Sequence, residues 1–418
     1  MSLVQAYSQI PTRKSVDTLV VSHFDSHGVA FAAARYSVLS RRSEVEVVSK
    51  FPNTGPRGLS DGSIRQLLDQ YAPRRYEIID IPIDVRNPDA AIKTLSELAA
   101  RAPVYYYDHH DTDIPFIPKL HEVGIFASVF GDNVAMAAAL ELFSNNISRY
   151  LAIIGMVADR DRSVLKIESR EKIEKEYLPL ANRLDVLVRN PSIIGVSTQG
   201  ELAKELVRRG PHNILLYANI EYPPEQLASE FQSKIVSEGQ IALLVDLSSI
   251  EQRLGQWIPK TLEQMLLLRR KYIAVAVAPG FNPRTRTLEG YDVRVLRYWL
   301  APADVPVPED VAKELIAQAA ISGNVVGHAD YISIRYPRVE AAMAAARTIF
   351  QRFEGSLSTA AHLINDSIVA QAVQRDFKAI LEELKEIHRQ MAEMYREYLE
   401  LKKKQVELLE RTSDTRYD

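Results

Sequence analysis

Four groups of acids and imidazoles stand out in the chain, each placed directly after an apolar run. Asp108-His109-His110 follows residues 104–107, His23, Asp25 and His27 follow residues 18–22, Asp80 follows residues 76–79, and Asp159 follows residues 151–158. A lone Asp-His-His recurs by chance, and any one of these acids taken alone reads as a helix cap or a surface charge. Four such groups in order, each at the end of an apolar run, read as one site. Carboxylate oxygens and imidazole nitrogens together suit Mn²⁺, Mg²⁺ or Zn²⁺ better than Ca²⁺. One shared carboxylate can hold two such ions about 3.5–4 Å apart, a pair that activates water and neutralises a phosphoryl group in flight.

The elements that must position these residues alternate between strand and helix. Strands are expected over residues 18–22, 44–49, 76–80 and 104–107, with helices over 29–40, 63–71 and from Asn87-Pro88 onward, where Asn caps and Pro takes the first helical position. That alternation predicts a parallel α/β sheet, whose ligands bind beyond the carboxyl ends of the strands. The acids and histidines are expected at those ends. A helix over 133–143 leads to the apolar run before Asp159. A long charged helix over 167–190 reads as a connector to a second α/β region, with strands over 241–247, 272–277 and 291–300. That region continues with a helix over 310–319, a glycine-containing turn over 321–328, a strand over 331–334 and a helix over 339–353. The expected domains are 1–165, 166–235 as helical connector, 236–360, and a C-terminal helix over 365–412.

Composition narrows the function. The 418 residues carry a net charge of -3, so nucleic-acid binding needs local basic patches or metal ions rather than a polycationic surface. There is no cysteine, which excludes disulfides, thiolate nucleophiles and Cys-ligated zinc. No apolar run approaches a membrane-spanning length and the N-terminus lacks a signal pattern, so a cytoplasmic protein is expected.

The four groups resemble the motifs of the DHH phosphoesterase superfamily, which includes RecJ-type exonucleases, nano-RNases and family II pyrophosphatases. His23-Phe24-Asp25-Ser26-His27-Gly28 is similar to the family's His-x-Asp-x-Asp-Gly. Asp80, Asp108-His109-His110 and Asp159 are similar to its second, third and fourth motifs. In the family's second domain (DHHA1), an Arg on a strand precedes Gly-Gly-Gly-His; Arg297 and Gly327-His328 resemble these, with Asn324, Val325 and Val326 breaking the glycine run, and the resemblance implies that they contact the substrate. The resemblance implies that His23, Asp25 and Asp80 hold a first metal, that Asp80 bridges, and that His27, His109 and Asp159 complete a second. It implies that His110 faces a phosphate oxygen and that Asp108 orients the neighbouring imidazole. Two divalent ions are implied, Mn²⁺ before Mg²⁺ or Zn²⁺. Where the family has aspartate, this chain has His27. Either the imidazole ligates and favours a metal softer than Mg²⁺, or the second site is crippled and the protein is a binding relative like the replication factor Cdc45.

The expected activity is a metal-dependent exonuclease on single-stranded DNA or RNA, with a nano-RNase or cyclic-dinucleotide phosphodiesterase and a Cdc45-like replication or repair scaffold as alternatives. A more widely spaced first motif in the pyrophosphatases argues against that branch. Arg284 and Arg286, beside Phe281, form a basic loop that could track a nucleic-acid backbone; Arg208-Arg209 and Arg269-Arg270-Lys271 read as solvated surface. Asp113 and Asp161 read as solvated loop acids, and Tyr105, Tyr106 and Tyr107 as sheet formers. Val373, Phe377, Ile380, Leu384, Ile387, Met391, Met394, Tyr398, Leu401, Gln405 and Leu408 keep a 4-3 spacing, a coiled coil. Leu at a with Ile at d favours a trimer or tetramer through residues 373–408. That architecture is similar to the archaeal nuclease that partners the Hef helicase, so a helicase or replisome partner is expected.

Overall fold

In a computed structural model the described residues are 13–49, 59, 68–84, 87–220, 223–281 and 287–360. The alternating strands and helices of the N-terminal half form a five-stranded sheet, order β2-β1-β3-β4-β5. Its strands are β1 (Lys14–Ser22), β2 (Val45–Val48), β3 (Tyr71–Ile79), β4 (Val104–Asp108) and β5 (Ile125–Val129). Every pairing is parallel. The sequence pattern finds the first four strands and misses β5, whose Phe126 lies exposed and stacked on Tyr105. Tyr71 already belongs to β3, so the helix expected over 63–71 does not reach it; residues 63–67 lie outside the described set. Tyr is a good strand former, and Tyr71 pairs with Lys14 at the start of β1.

Helix α1 (Ser26–Leu39) is buried on nearly every side through residue 35, as expected of a helix apolar all round. It packs against the sheet, against α2 (Asn146–Ala158) and against α3 (Gln199–Arg209). Gly155 lets α1 and α2 approach: a Cβ there would lie 2.8 Å from the Phe31 ring. Arg35 of α1 reaches into the sheet and grips Glu77 bidentately, at 2.7 and 2.9 Å. On the opposite face Leu19, Val21, Ile78, Val104 and Tyr106 build a core with Ile92 and Leu95 of the helix Pro88–Ala99.

A second, six-stranded sheet has the order β10-β11-β9-β8-β7-β6. Its strands are β6 (Ile235–Glu238), β7 (Ala242–Asp246), β8 (Ile273–Phe281), β9 (Leu288–Arg297), β10 (Val325–His328) and β11 (Tyr331–Tyr336). β7 and β8 run parallel, joined by α4 (Ile258–Arg269); the other pairs are antiparallel. The expected glycine turn over 321–328 is in its second half strand β10, where Gly327 adopts φ 132° against the Tyr331 carbonyl. β6 was not legible in the pattern. Both sheets belong to one compact unit, Met1–Glu354, and Gly355–Asp418 forms a second. The heptad run over 373–408 lies outside the described residues, as do Arg284 and Arg286. No helix among the described residues is long and apolar enough to cross a membrane.

Candidate metal centre

β1, β3 and β4 end side by side, and their carboxyl ends deliver three of the four groups. After β1 the chain turns into α1 through Asp25, the N-cap, whose Oδ1 accepts from the Gly28 amide at 2.9 Å. Gly28 is required: a Cβ there would sit 2.4 Å from the His23 carbonyl oxygen. The other Asp25 oxygen pairs with His23 Nδ1 at 2.7 Å. His27, in the first turn of α1, points Nδ1 at Asp80 Oδ2, 2.9 Å away.

Asp80 follows β3 and is 2% exposed. Its amide continues the ladder to the Tyr107 carbonyl at 2.9 Å while its φ is 57°, a left-handed conformation that Asp tolerates better than most residues. At the end of β4, Asp108 Oδ1 accepts from the amides of His109 and His110 at 2.6 and 2.9 Å and from His110 Nδ1 at 2.5 Å. His109 thereby turns Nε2 to within 3.2 Å of Asp80 Oδ1 and 3.6 Å of Asp159 Oδ2.

Asp159 corrects the sequence reading. The apolar run before it is a helix, α2, not a strand, and Asp159 is its C-cap. The helix stops in a Schellman turn: Arg160 stands at φ 62°, its amide bonds the Val157 carbonyl, and the Asp161 amide bonds the Met156 carbonyl. A carboxylate at a helix carboxyl end opposes the helix dipole, so the placement serves something other than stability. Asn133 Nδ2 holds Asp159 Oδ2 at 2.7 Å, and the Asn133 amide bonds Asp161 Oδ2. Asp161, expected in solvent, anchors this turn, accepting also from the Ser163 amide and hydroxyl.

Donor atoms of His23, Asp25 and Asp80 lie within 4.8 Å of one another; so do those of His27, His109 and Asp159, and those of Asp80, Asp108, His109 and His110. His27 Nε2 and His109 Nε2 are buried with no hydrogen-bond partner. Two buried imidazole nitrogens that make no well-aligned hydrogen bond, beside three carboxylates, fit divalent cations that accept mixed nitrogen and oxygen donors, such as Mn²⁺ or Zn²⁺. The charges point the same way. Burial opposes a charged His27, yet Asp80 and Asp159 outweigh it and push it up to about 10. Burial works against ionised Asp80, but His27 and His109 hold it well below the usual carboxylate range. Burial raises Asp159 despite both histidines. For His110, burial again disfavours charge, but Asp108 pushes the imidazole up to about 9.

The second sheet meets this edge through the residues just after Asp159. Arg160 bridges to Glu263 of α4 at 2.5 and 3.0 Å, and Arg162 donates to the carbonyls of Trp299 and Ala301. Between them opens a cleft of about 440 Å³ whose lining includes Arg160, Arg162, Lys260, Arg297, Trp299 and Asp330. Four of its side chains are basic against two acidic, Glu263 and Asp330. Lys260 is the functional candidate the sequence hid among helix residues: burial and Arg160 lower it to about 8. Arg297 lines the cleft, but its donors are engaged: Nε to Val305 O at 3.1 Å, Nη2 to Pro302 O at 2.8 Å, Nη1 to Asp330 at 3.0 Å. Gly327 and His328 lie on β10. Asp113, read as a solvated loop acid, is fully buried against Tyr106.

No protein-family model matches the chain and no curated protein matches it. Among solved structures it is similar to a DHH-domain protein described as a member of a family of ribosomal proteins, at 14% identity and TM-score 0.43, over 80% of this chain and 86% of that one. It is similar to the exonuclease RecJ bound to manganese, at 14% identity and TM-score 0.34, over 81% and 90%. Cdc45 from Entamoeba histolytica matches at 8% identity and TM-score 0.30, over 83% and 98%. At such values the weight rests on the residues of the site itself.

Proposed function

We propose that this protein is a DHH-type, metal-dependent phosphodiesterase that releases nucleotides from the ends of single-stranded DNA or RNA. The observation that carries the reading is the pair of buried nitrogens without a hydrogen bond, His27 Nε2 and His109 Nε2, among Asp25, Asp80 and Asp159. His23, Asp25 and Asp80 would hold one divalent ion and His27, His109 and Asp159 the other, with Asp80 between them. Bound there, the ions supply Lewis acidity and a nucleophilic water at neutral pH. The chain does the rest. Asp108 fixes the His110 ring through Nδ1 and keeps it protonated, leaving Nε2–H for an anionic phosphate oxygen. The basic cleft with Lys260 and Arg162 supports a polyanionic substrate on a chain whose net charge is negative. The free Nε2 of His27 supports ligation by the residue that replaces the family's aspartate, and so favours an enzyme over an inert scaffold.

A timed digest of end-labelled single-stranded DNA and RNA with Mn²⁺, Mg²⁺ or Zn²⁺ tests this. Mononucleotide release in Mn²⁺ is expected. Cleavage confined to dinucleotides would move the protein to the nano-RNase class, and no bound Mn²⁺ at saturation would end the enzyme reading. The heptad run over 373–408 supports a trimer or tetramer; loss of that mass by light scattering on deletion of residues 365–418 is expected.

A further inference from the structure

Behind Asp108 lies a second buried carboxyl that metal ligation does not use. Asp113 sits in the 3-10 turn Asp111–Phe116 with no exposure, and the Ile83 amide approaches both its oxygens at 3.1 Å. Tyr106, fully buried, sends its hydroxyl to the same place. Its Oη lies 2.8 Å from the Ile81 carbonyl oxygen, 3.1 Å from Asp108 Oδ2 and in closer contact with Asp113 Oδ2.

With both acids ionised the protons do not suffice. Three oxygens that can only accept surround a hydroxyl that owns one proton, and a buried polar contact left unmet is costly. The other donors nearby are spent. Two amides and the His110 ring bond Asp108 Oδ1, while the Ile83 amide and, at 3.4 Å, the Thr112 hydroxyl are on Asp113. One more proton resolves the conflict. It belongs on Asp113, because Asp108 Oδ1 already accepts three N–H bonds whereas Asp113 accepts one shared amide and the long contact from the Thr112 hydroxyl. Burial, then the Asp108 charge, push the Asp113 carboxyl up to about 6 against the pull of Tyr106 and Ile83, which brings its neutral form into the mildly acidic range. Protonated Asp113 donates to Tyr106 Oη, and the Tyr106 hydrogen is freed for Asp108 Oδ2 and the Ile81 carbonyl.

We propose that Asp113 is a positioning residue that, as a neutral acid, donates to Tyr106 and through it steadies the Asp108 carboxylate that aims His109 and His110. Only the affinity arm of its test rests on the metal-centre reading. The full-length wild type and Asp113→Asn are compared, metal-free, by infrared difference spectroscopy across neutral and mildly acidic buffers. A neutral-carboxyl C=O stretch present in wild type and missing from the variant is expected; no such band at any pH where the protein is folded overturns the proposal. Mn²⁺ titration then compares three variants. Asp113→Asn keeps a neutral donor and an acceptor in the same shape and should bind within about 3-fold of wild type, while Asp113→Leu and Tyr106→Phe lose about 10–100-fold, the usual cost of removing a partner that orients a ligand. Leu binding as well as wild type, or Asn as poorly as Leu, sinks the positioning role. Should Asp113→Leu fail to fold, Tyr106→Phe carries the comparison. A wild type that binds no Mn²⁺ would defeat the metal reading, and the infrared band would still decide the proton.

Discussion

Buried polar side chains of the two sheets are partnered differently. At the carboxyl edge of the parallel sheet, His27 and His109 keep buried nitrogens without partners, and Asp80 and Arg160 hold left-handed backbone conformations. In the second sheet Arg297 is equally buried, yet its Nε, Nη1 and Nη2 each donate to a nearby oxygen. Unmet polar capacity and strained backbone are stability costs that persist where something else is selected; a fully partnered cation is the mark of scaffold. The contrast is one between particular residues, His27 and His109 against Arg297, and not between whole sheets, since Trp299 Nε1 in the cleft lining also lacks a partner.

The sharpest way to break this contrast is Asp80→Ala. Asp80 stands within 2.9 Å of His27 and 3.2 Å of His109, and removing it takes the shared donor from both sets. Since losing a mere orienting partner costs about 10–100-fold, the loss of Mn²⁺ affinity and of cleavage should exceed about 100-fold. Calorimetry and the labelled digest read both, and cleavage at the wild-type rate would exclude these motifs as the catalyst. Arg297→Ala should act on stability instead. It strips donors from the carbonyls of Val305, which is buried, and Pro302, which is exposed, for about 1–3 kcal/mol. The denaturant midpoint should fall while Mn²⁺ affinity stays within about 2-fold. A KM increase without a shift in midpoint would return Arg297 to the substrate contacts that the sequence pattern suggests.

What could be read from the chain alone follows from period and length. Short apolar runs ending in an acid located β1, β3 and β4, and with them His23, Asp25, Asp80 and Asp108, because the side-chain pattern of a buried parallel strand is local. The run before Asp159 misled, since a continuous apolar stretch has no period to tell strand from buried helix. Asp113 looked like a loop acid because its partner, Tyr106, reads equally well as an ordinary sheet residue. The partners of Arg297 lie at 302, 305 and 330, beyond any local pattern, so its engagement required the fold.

A smaller effect tests the helix pair that carries the site. Gly155→Ala sets a Cβ 2.8 Å from the Phe31 ring; overpacking of about 1–3 kcal/mol outweighs the roughly 1 kcal/mol that alanine gains in helix propensity. A net loss of about 1 kcal/mol is expected, with weaker Mn²⁺ binding because α1 bears Asp25 and His27 and α2 ends at Asp159. An unchanged affinity would mean that the ligands tolerate a shift between the helices.

The smallest effect contrasts the open acids with a closed one at the far side of the same sheet. Glu46 of β2 is gripped by Lys14 and Lys204 and accepts from the Val47 amide at 3.1 Å. Burial works against its charge, but the two lysines and the amide prevail and its carboxyl is lowered. An acid lowered on folding binds fewer protons in the folded state than in the unfolded one, so it adds stability above its unfolded value and loses it as pH falls through the folded one. Lys14 is half-exposed and the pair is screened, which keeps the contribution to about 1 kcal/mol or less. Glu46→Gln should therefore lower the midpoint of urea unfolding slightly at neutral pH, and the gap to wild type should close in acid. A gap that stays constant with pH would mean that Glu46 holds β2 through packing and not through its charge, and the line between partnered scaffold and unpartnered site would have to be drawn on shape instead of on proton and hydrogen-bond accounting.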